Sequence, residues 1–270
     1  MVLPLTLSAV ARSEVGLVRK INEDSGLVGT QILAIADGMG GHVAGEIASS
    51  IAIKAILPLD SRISLASPVD DDAITDFLLH TLAGVDDQIG AMIDADPNLD
   101  GMGTTLTALV FDSNRIAVVH VGDSRCYRMR DGKTDQLTRD HTLVQELADQ
   151  GRISEEEALE HPLRSLLTQA LMGHHDISPD IELYDVKDRD RFLLCSDGLS
   201  SVVSISELHK LLASDSITDA LNGLIDAAIK NGAPDNVTAI VADFQQGAPT
   251  DGLKPLPTNT AAIGAAVGRV

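Results

Sequence analysis

The sequence predicts an α+β fold, a central antiparallel β-sandwich flanked by pairs of helices in an αββα order. Three observations carry this reading. Strand-like runs come in groups, the pattern of antiparallel sheets rather than of alternating βαβ units. Helical periodicity comes in pairs between those groups. The strand runs are rich in β-branched residues and closed by turn pairs such as Ser113-Asn114, Gly122-Asp123 and Asp131-Gly132. With 270 residues and 44% apolar content, the chain has ample material for a core.

In order along the chain, Leu3, Leu5, Leu7 and Ala9 alternate with polar or turn residues and predict a half-buried strand. Residues 31–36 form a nearly all-apolar strand stopped by Asp37-Gly38. Ile47, Ala48, Ile51, Ala52, Ile56 and Leu59 then recur at helical spacing. A second helix carries Ile74, Phe77, Leu78, Leu82, Val85, Ile89 and Met92 on one face. Residues 104–111, 115–121 and 125–130 read as consecutive strands, and Asp131-Gly132 predicts a hairpin into 134–137. Residues 139–180 are charged and irregular, with a short helix around Leu143, Val144 and Leu147. Glu155-Glu156-Glu157 after Ser154 reads as a capped, solvated helix start. Strands resume at 181–186 and 191–195, helices follow at 205–212 and 217–229, and a last strand spans 237–244. After Gln245 the sequence turns to Gly, Ala, Pro and Thr, which predicts a flexible tail over 245–270 behind one domain, 1–244.

Composition narrows the function classes. A formal charge of −20 and a pI near 4.5 argue against nucleic acid or an anionic membrane as partner. The acids are 30 Asp against 10 Glu, and Asp favours turns, caps and hard-metal sites. Four Phe, two Tyr and no Trp leave little for stacking on bases. Cys126 and Cys195 sit inside apolar runs without a CxxC, so reduced core thiols are expected. No uncharged apolar run reaches the length of a membrane span, and residues 1–11 lack the pattern of a secretory signal. A cytoplasmic monomer is the expectation.

Asp-Gly occurs at 37, 100, 131, 197 and 251, and alone it marks a turn. Asp37 and Asp197 differ because each directly ends a strongly apolar strand. Asp123 also follows one, while Asp235 stands just before the strand 237–244. In an antiparallel sheet the start of one strand lies beside the end of its neighbour, so these four carboxylates can gather at one edge. Gathered carboxylates repel and take up protons or cations, and Mg²⁺ or Mn²⁺ suits oxygen ligands. The same residues would equally serve as plain turn and cap residues. Gly38, Gly40 and Gly41 let the backbone approach a ligand closely. Arg19, five residues before Asp24, has the planar fork that grips a phosphate oxyanion, or is simply a solvated surface arginine. His120, inside an apolar strand, reads as a satisfied core histidine.

Six motifs then occur in order: Gly16-x-Val-Arg19-x-x-Asn22-Glu23-Asp24, Asp37-Gly-Met-Gly-Gly-His42, Gly103-Thr-Thr, Gly122-Asp-Ser-Arg125, Ser196-Asp-Gly198 and Pro234-Asp-Asn-Val237. Over roughly residues 5–244 this pattern resembles the metal-dependent PPM family, the 2C-type Ser/Thr protein phosphatases, in its bacterial branch. The resemblance implies a hydrolase that removes phosphate from phosphoserine and phosphothreonine through a water activated by two metals, without a phosphoenzyme, opposing a Ser/Thr kinase in signalling. It implies that Asp37 bridges two ions, that the Gly38 carbonyl binds one, and that Asp197 and Asp235 hold the other. It matches Glu23 and Asp24 to the acidic pair supporting the second ion, and Asp123 to a weaker third site shared with Asp197, with Ser165 assisting. It matches Arg19 to the arginine that binds substrate phosphate, and places a flap within 139–180.

Met39 departs from the eukaryotic pattern, whose histidine at that position is a proposed general acid. His42, three residues on, is either a proton donor or a supporting residue, and a metal-bound water is the favoured donor. Two other readings stand beside the main one: a catalytically silent domain that binds phosphoproteins, and a phosphatase for small phosphoesters. Loss of an aspartate would mark the silent form, and Asp37, Asp197 and Asp235 are all present.

Overall fold

The computed structural model describes residues 5–40, 44–63, 71–112, 114–173, 176–247 and 261–267. In chain order these form β1 (Leu5–Glu14), β2 (Asp24–Val28), β3 (Ile32–Met39), α1 (Gly45–Ile63), α2 (Asp71–Ala95), β4 (Gly103–Thr104), β5 (Leu106–Asp112), β6 (Arg115–Val121), β7 (Arg125–Arg130) and β8 (Lys133–Gln136). There follow α3 (Leu143–Asp149), α4 (Glu155–Glu160), β9 (Asp180–Asp185), β10 (Arg191–Cys195), α5 (Asp197–Ser200), α6 (Ile205–Leu212), α7 (Ile217–Lys230), β11 (Val237–Gln246) and β12 (Ala261–Gly264). One sheet runs β1-β11-β10-β7-β8 and the other β12-β2-β3-β5-β6-β9, with β4 beside β3. Every pairing among these strands is antiparallel.

The layering follows from the period of two along each strand. In β3, Leu33 and Ile35 face the other sheet while Ile32, Ala34 and Ala36 face α1 and α2. In β11, Ile240, Ala242 and Phe244 face the first set, and Val237, Ala239 and Val241 pack under α6 and α7. Strands buried on both faces read as continuous apolar runs rather than alternating ones. Phe244 meets Phe111 and Phe192 edge-on between the sheets, at 4.8 and 5.4 Å between ring centres. The sandwich with outer helix pairs is therefore the fold the sequence predicts. Both cysteines are buried free thiols, and burial pushes their pKa values up.

Two elements correct the expectations. The tail expected to be flexible from 245 on is structured in part: β11 continues to Gln246, and β12 at 261–264 pairs with β2. Its Gly- and Ala-rich composition hides it, because its binding surface is the backbone edge of β2 rather than a side-chain pattern. The strand β2 itself, Asp-Ser-Gly-Leu-Val, was not expected, since its polar first half faces buried hydroxyls instead of water. The first strand extends to Glu14, and its polar end is tolerated because β1 is the outermost strand of its sheet. Residues 3 and 4 of that expected strand lie outside the described residues.

Candidate functional site

The four strand-end aspartates meet at one end of the sandwich. Asp37 lies two residues before the end of β3, Asp123 follows β6, Asp197 opens α5 and Asp235 precedes β11. All four line a single cleft of about 540 Å³, together with Arg19, Glu23, Gly38, Met39 and Thr105. Its other wall comes from the segment after α4, including Ser165, Leu166, Gln169, Met172 and Ile177. Asp24 lies behind the cleft, fully buried, and pairs with Asp37 across β2 and β3. Ser165 is exposed on the wall, and His42 lies outside the described residues.

Backbone bonds hold these groups in place. The Thr104 hydroxyl and the Thr105 amide both donate to the Asp37 carbonyl, at 3.0 and 2.9 Å, and the Asp37 amide donates to the Thr105 hydroxyl. The chain then crosses α1 so closely that a Cβ on Gly38 would sit 2.0 Å from the Gly45 carbonyl oxygen. Only glycine fits there, which explains the Asp-Gly pair in steric terms. Asn236 organises the loop that carries Arg19. Its Oδ1 accepts from the Glu23 amide at 2.8 Å, and its Nδ2 donates to the carbonyls of Val15 and Ile21 at 2.8 and 2.9 Å. Arg19 reaches back over the cleft and donates to Asp235 at 2.7 Å and Glu23 at 3.3 Å.

The turn bearing Asp123 is clamped separately. Arg125 grips Asp140 with Nε and Nη2, at 2.9 and 2.6 Å, and His141 accepts from the Gly122 amide at 3.3 Å. The Ser124 and Thr105 hydroxyls, 3.0 Å apart, tie the same turn to Asp37. The His141 carbonyl accepts from the Thr168 amide, so this clamp also anchors the cleft wall. His120 is the core histidine expected from its strand: its Nδ1 lies 2.9 Å from the Thr107 hydroxyl and its Nε2 3.0 Å from the Arg139 carbonyl. Burial lowers its pKa to about 4.

Charge is concentrated beyond what the local cations cancel. Burial first, then Asp24, Asp197, Asp123 and Asp235, holds the Asp37 carboxyl well above the usual range. Burial and the neighbouring Asp197 and Asp235 push Asp24 up to about 7, against the hydroxyls of Thr238 and Ser196. Burial, Asp197 and Asp140 push Asp123 up to about 8, with Arg125 opposing. Asp197 is raised by burial and Asp235, and Glu23 by burial against the pull of Arg19.

Such a set of hard oxygen donors fits divalent cations. Asp24 Oδ1 is buried without a hydrogen-bond partner, although its Oδ2 accepts from Ser196 at 2.8 Å. Among the described residues no three of these side chains close into a metal cage, and the Arg19 guanidinium lies on Glu23 and Asp235. The residues reasoning from sequence missed are those that position others: Asn236, Ser196, Asp140 and His141. Asn236 and Ser196 stand inside the six motifs, so a buried amide or hydroxyl beside each aspartate was the available signal.

Residues 21–240 match the family model described as protein phosphatase 2C. The chain belongs to the protein phosphatase 2C family. It is 46% identical over 242 residues to the serine/threonine protein phosphatase PstP of Mycobacterium tuberculosis, covering 88% of this chain and 45% of that protein. It is 34% identical over 243 residues to the serine/threonine phosphatase Stp of Listeria welshimeri, covering 96% of it. The crystal structure of PstP superposes with a TM-score of 0.84 at 45% identity, over 89% of this chain and 99% of that one. The PstP catalytic domain in complex with two manganese ions superposes with a TM-score of 0.81 at 44% identity, over the same shares. The present chain thus spans less than half the length of PstP and nearly all of Stp. As a 2C family member it shares their fold from one sheet to the other.

Proposed function

We propose that this chain hydrolyses phosphoserine and phosphothreonine in proteins, with two Mn²⁺ or Mg²⁺ ions at the carboxylate cleft. The observation that carries this reading is the convergence of Asp37, Asp123, Asp197 and Asp235 on one cleft that Arg19 also enters. Asp37, the Gly38 carbonyl, Asp197 and Asp235 would hold the two ions, with Glu23 and Asp24 supporting them. Asp123 with Asp197, assisted by Ser165, would hold a weaker third ion. When bound, the divalent ions lower the pKa of water and neutralise charge on the transferring phosphoryl group.

The protein's own groups supply orientation. Arg19 would exchange its bonds to Asp235 and Glu23 for two phosphoryl oxygens, a bidentate grip that orients the phosphoryl group in the cleft. The carboxylates, whose pKa values are raised by burial and by one another, would bind the ions in their deprotonated form. Met39 lines the cleft and carries no proton to donate, so the leaving oxygen takes its proton from solvent or from a group such as His42. Cys195 is buried with its thiol pushed up to about 12, which rules this thiol out as the nucleophile of a phosphoenzyme.

The sequence relatives named as Ser/Thr phosphatases support phosphoproteins as the substrate class, and the activity opposed would be that of a Ser/Thr kinase. We place the chain in the cytoplasm as a monomer, with a catalytic domain that runs through β11 and takes in β12, and with the wall within 139–180 acting as the flap. No described helix is long and apolar enough to cross a membrane. The test is phosphate release from a phosphothreonine peptide with Mn²⁺, with chelator and Asp37→Asn as controls. Asp37→Asn is expected to abolish release while melting as cooperatively as the parent. Release that survives both chelator and Asp37→Asn overturns the assignment, and release from small phosphoesters alone narrows it to a different substrate.

A further inference from the structure

Segment 261–267 forms more than an added edge. Four residue pairs join β12 to β2, from Ala261 opposite Val28 to Gly264 opposite Ser25. Immediately beyond, the Ala265 amide donates to the Asp24 carbonyl at 2.7 Å. Gly264 adopts φ +69°, and a Cβ there would lie 2.2 Å from that same carbonyl oxygen. The Ile263 side chain fills the space over Gly26, where a Cβ would meet it at 2.7 Å. Ala266 is fully buried against the core under α1 and α2. Three kinds of contact therefore converge on one short stretch of β2, and that stretch begins with Asp24.

We infer that segment 261–266 is a positioning strand for the metal centre, holding the backbone of Asp24 so that its carboxylate stays fixed directly behind the cleft, against Ser196. The inference rests on the reading of Asp24 as a metal-supporting residue. Asp24 is held on its other sides by Asn22, whose Oδ1 accepts from the Asp24 amide at 3.2 Å, and by Ser196 on the carboxylate. The Ala265 amide completes the set by fixing the carbonyl. Without it, β2 is an outermost strand whose first residue has lost a hydrogen bond and whose Gly26 has lost the wedge of Ile263. A carboxylate with one oxygen still unpartnered would then sample orientations away from the ions, and metal affinity would fall.

The experiment uses the full chain with four substitutions. Gly264→Val strains the left-handed residue and drives a side chain into the Asp24 carbonyl. Ala265→Pro deletes the donor. Ile263→Ala removes the wedge without touching the backbone, and exposed Val267→Ser serves as control. Hydrogen exchange by mass spectrometry reads the 24–28 amides, and calorimetric titration with Mn²⁺ reads metal affinity. Thermal melting confirms folding. In the first three variants, exchange at 24–28 should quicken and Mn²⁺ affinity fall about three- to tenfold, the worth of one buried hydrogen bond. Phosphatase rate at saturating Mn²⁺ should return towards the parent value, and Val267→Ser should change nothing. Faster exchange with unaltered Mn²⁺ affinity would make β12 a structural edge only. Unaltered exchange in Ile263→Ala and Ala265→Pro would remove the clamp altogether. Should the parent bind Mn²⁺ yet release no phosphate, the proposed activity fails while the clamp stands on exchange and affinity.

Discussion

The Asp123 carboxyl offers a quantitative handle on the cleft. Its pKa of about 8 stands well above the ordinary 3.8, because burial, Asp197 and Asp140 all disfavour its charge. The folded, metal-free protein therefore keeps a proton that the unfolded chain releases. Each pH unit between the two values is worth about 1.4 kcal/mol, so the bound on the cost near pH 7 is roughly 4 kcal/mol. Solvent in the cleft and the higher effective dielectric of a real site reduce this to about 1–2 kcal/mol. A raised acid pKa contributes stability that is fully present below the unfolded value and lost as pH climbs through the folded one. Asp123→Asn cannot ionise and escapes that loss.

In chelator, Asp123→Asn should match the parent near about pH 4 and exceed it by about 1–2 kcal/mol near about pH 8. Urea melts across that range measure the difference, and the melting temperature should rise by roughly 2–6 °C at the alkaline end. Under Mn²⁺ the same variant should still bind two ions by calorimetry while turnover falls substantially. A variant less stable than the parent in chelator, or a difference that ignores pH, would refute the electrostatic account. Loss of the two central ions would move Asp123 into the primary ligand set.

Removing other groups has distinct expected effects. Arg19→Ala should raise KM for phosphopeptide about tenfold or more and weaken inhibition by free phosphate, with a smaller change in kcat, as steady-state kinetics will read. Asn236→Ala should cost about 2–3 kcal/mol in urea melts, since it strands one amide and two carbonyls of the 15–23 loop, and should raise KM in the same direction. Native protein should react with a thiol reagent only at the rate of unfolding, because Cys126 and Cys195 are both buried.

The sandwich was legible because both faces of its central strands are buried, leaving long apolar runs that end sharply. Those sharp ends were also the clue to the site: Asp37, Asp123 and Asp197 each interrupt such a run, and Asp235 precedes one. What stayed hidden depends on contacts made by backbone. Strand β2 carries Asp24 and Ser25, whose polarity reads as loop until Ser196 and Ser49 are seen to partner them. Strand β12 presents alanine and glycine, residues with little pattern of their own. The role of Asn236 lies in the distant loop at 15–23, and no local spacing could announce it.

The two sheets contribute to the cleft unequally but jointly. Asp24, Asp37 and Asp123 come from or directly follow strands of one sheet, while Asp197 and Asp235 flank strands of the other. The carboxylate cluster therefore exists only once the sandwich has closed, and its mutual repulsion opposes that closure. The inter-sheet core of Leu33, Ile35, Leu109, Phe192, Ile240 and Phe244 must outweigh it before any cation arrives. Stability stored between the sheets is thus converted into affinity at their edge, because a cation that neutralises the cluster also removes the force opening it. The hydroxyls and amides of Thr104, Thr105, Ser196 and Asn236 keep the strand ends from relaxing that strain by fraying. The backbone of a cleft held this way is arranged before it is loaded, which is the property that the proposed phosphoryl transfer asks of a protein with no covalent chemistry to perform.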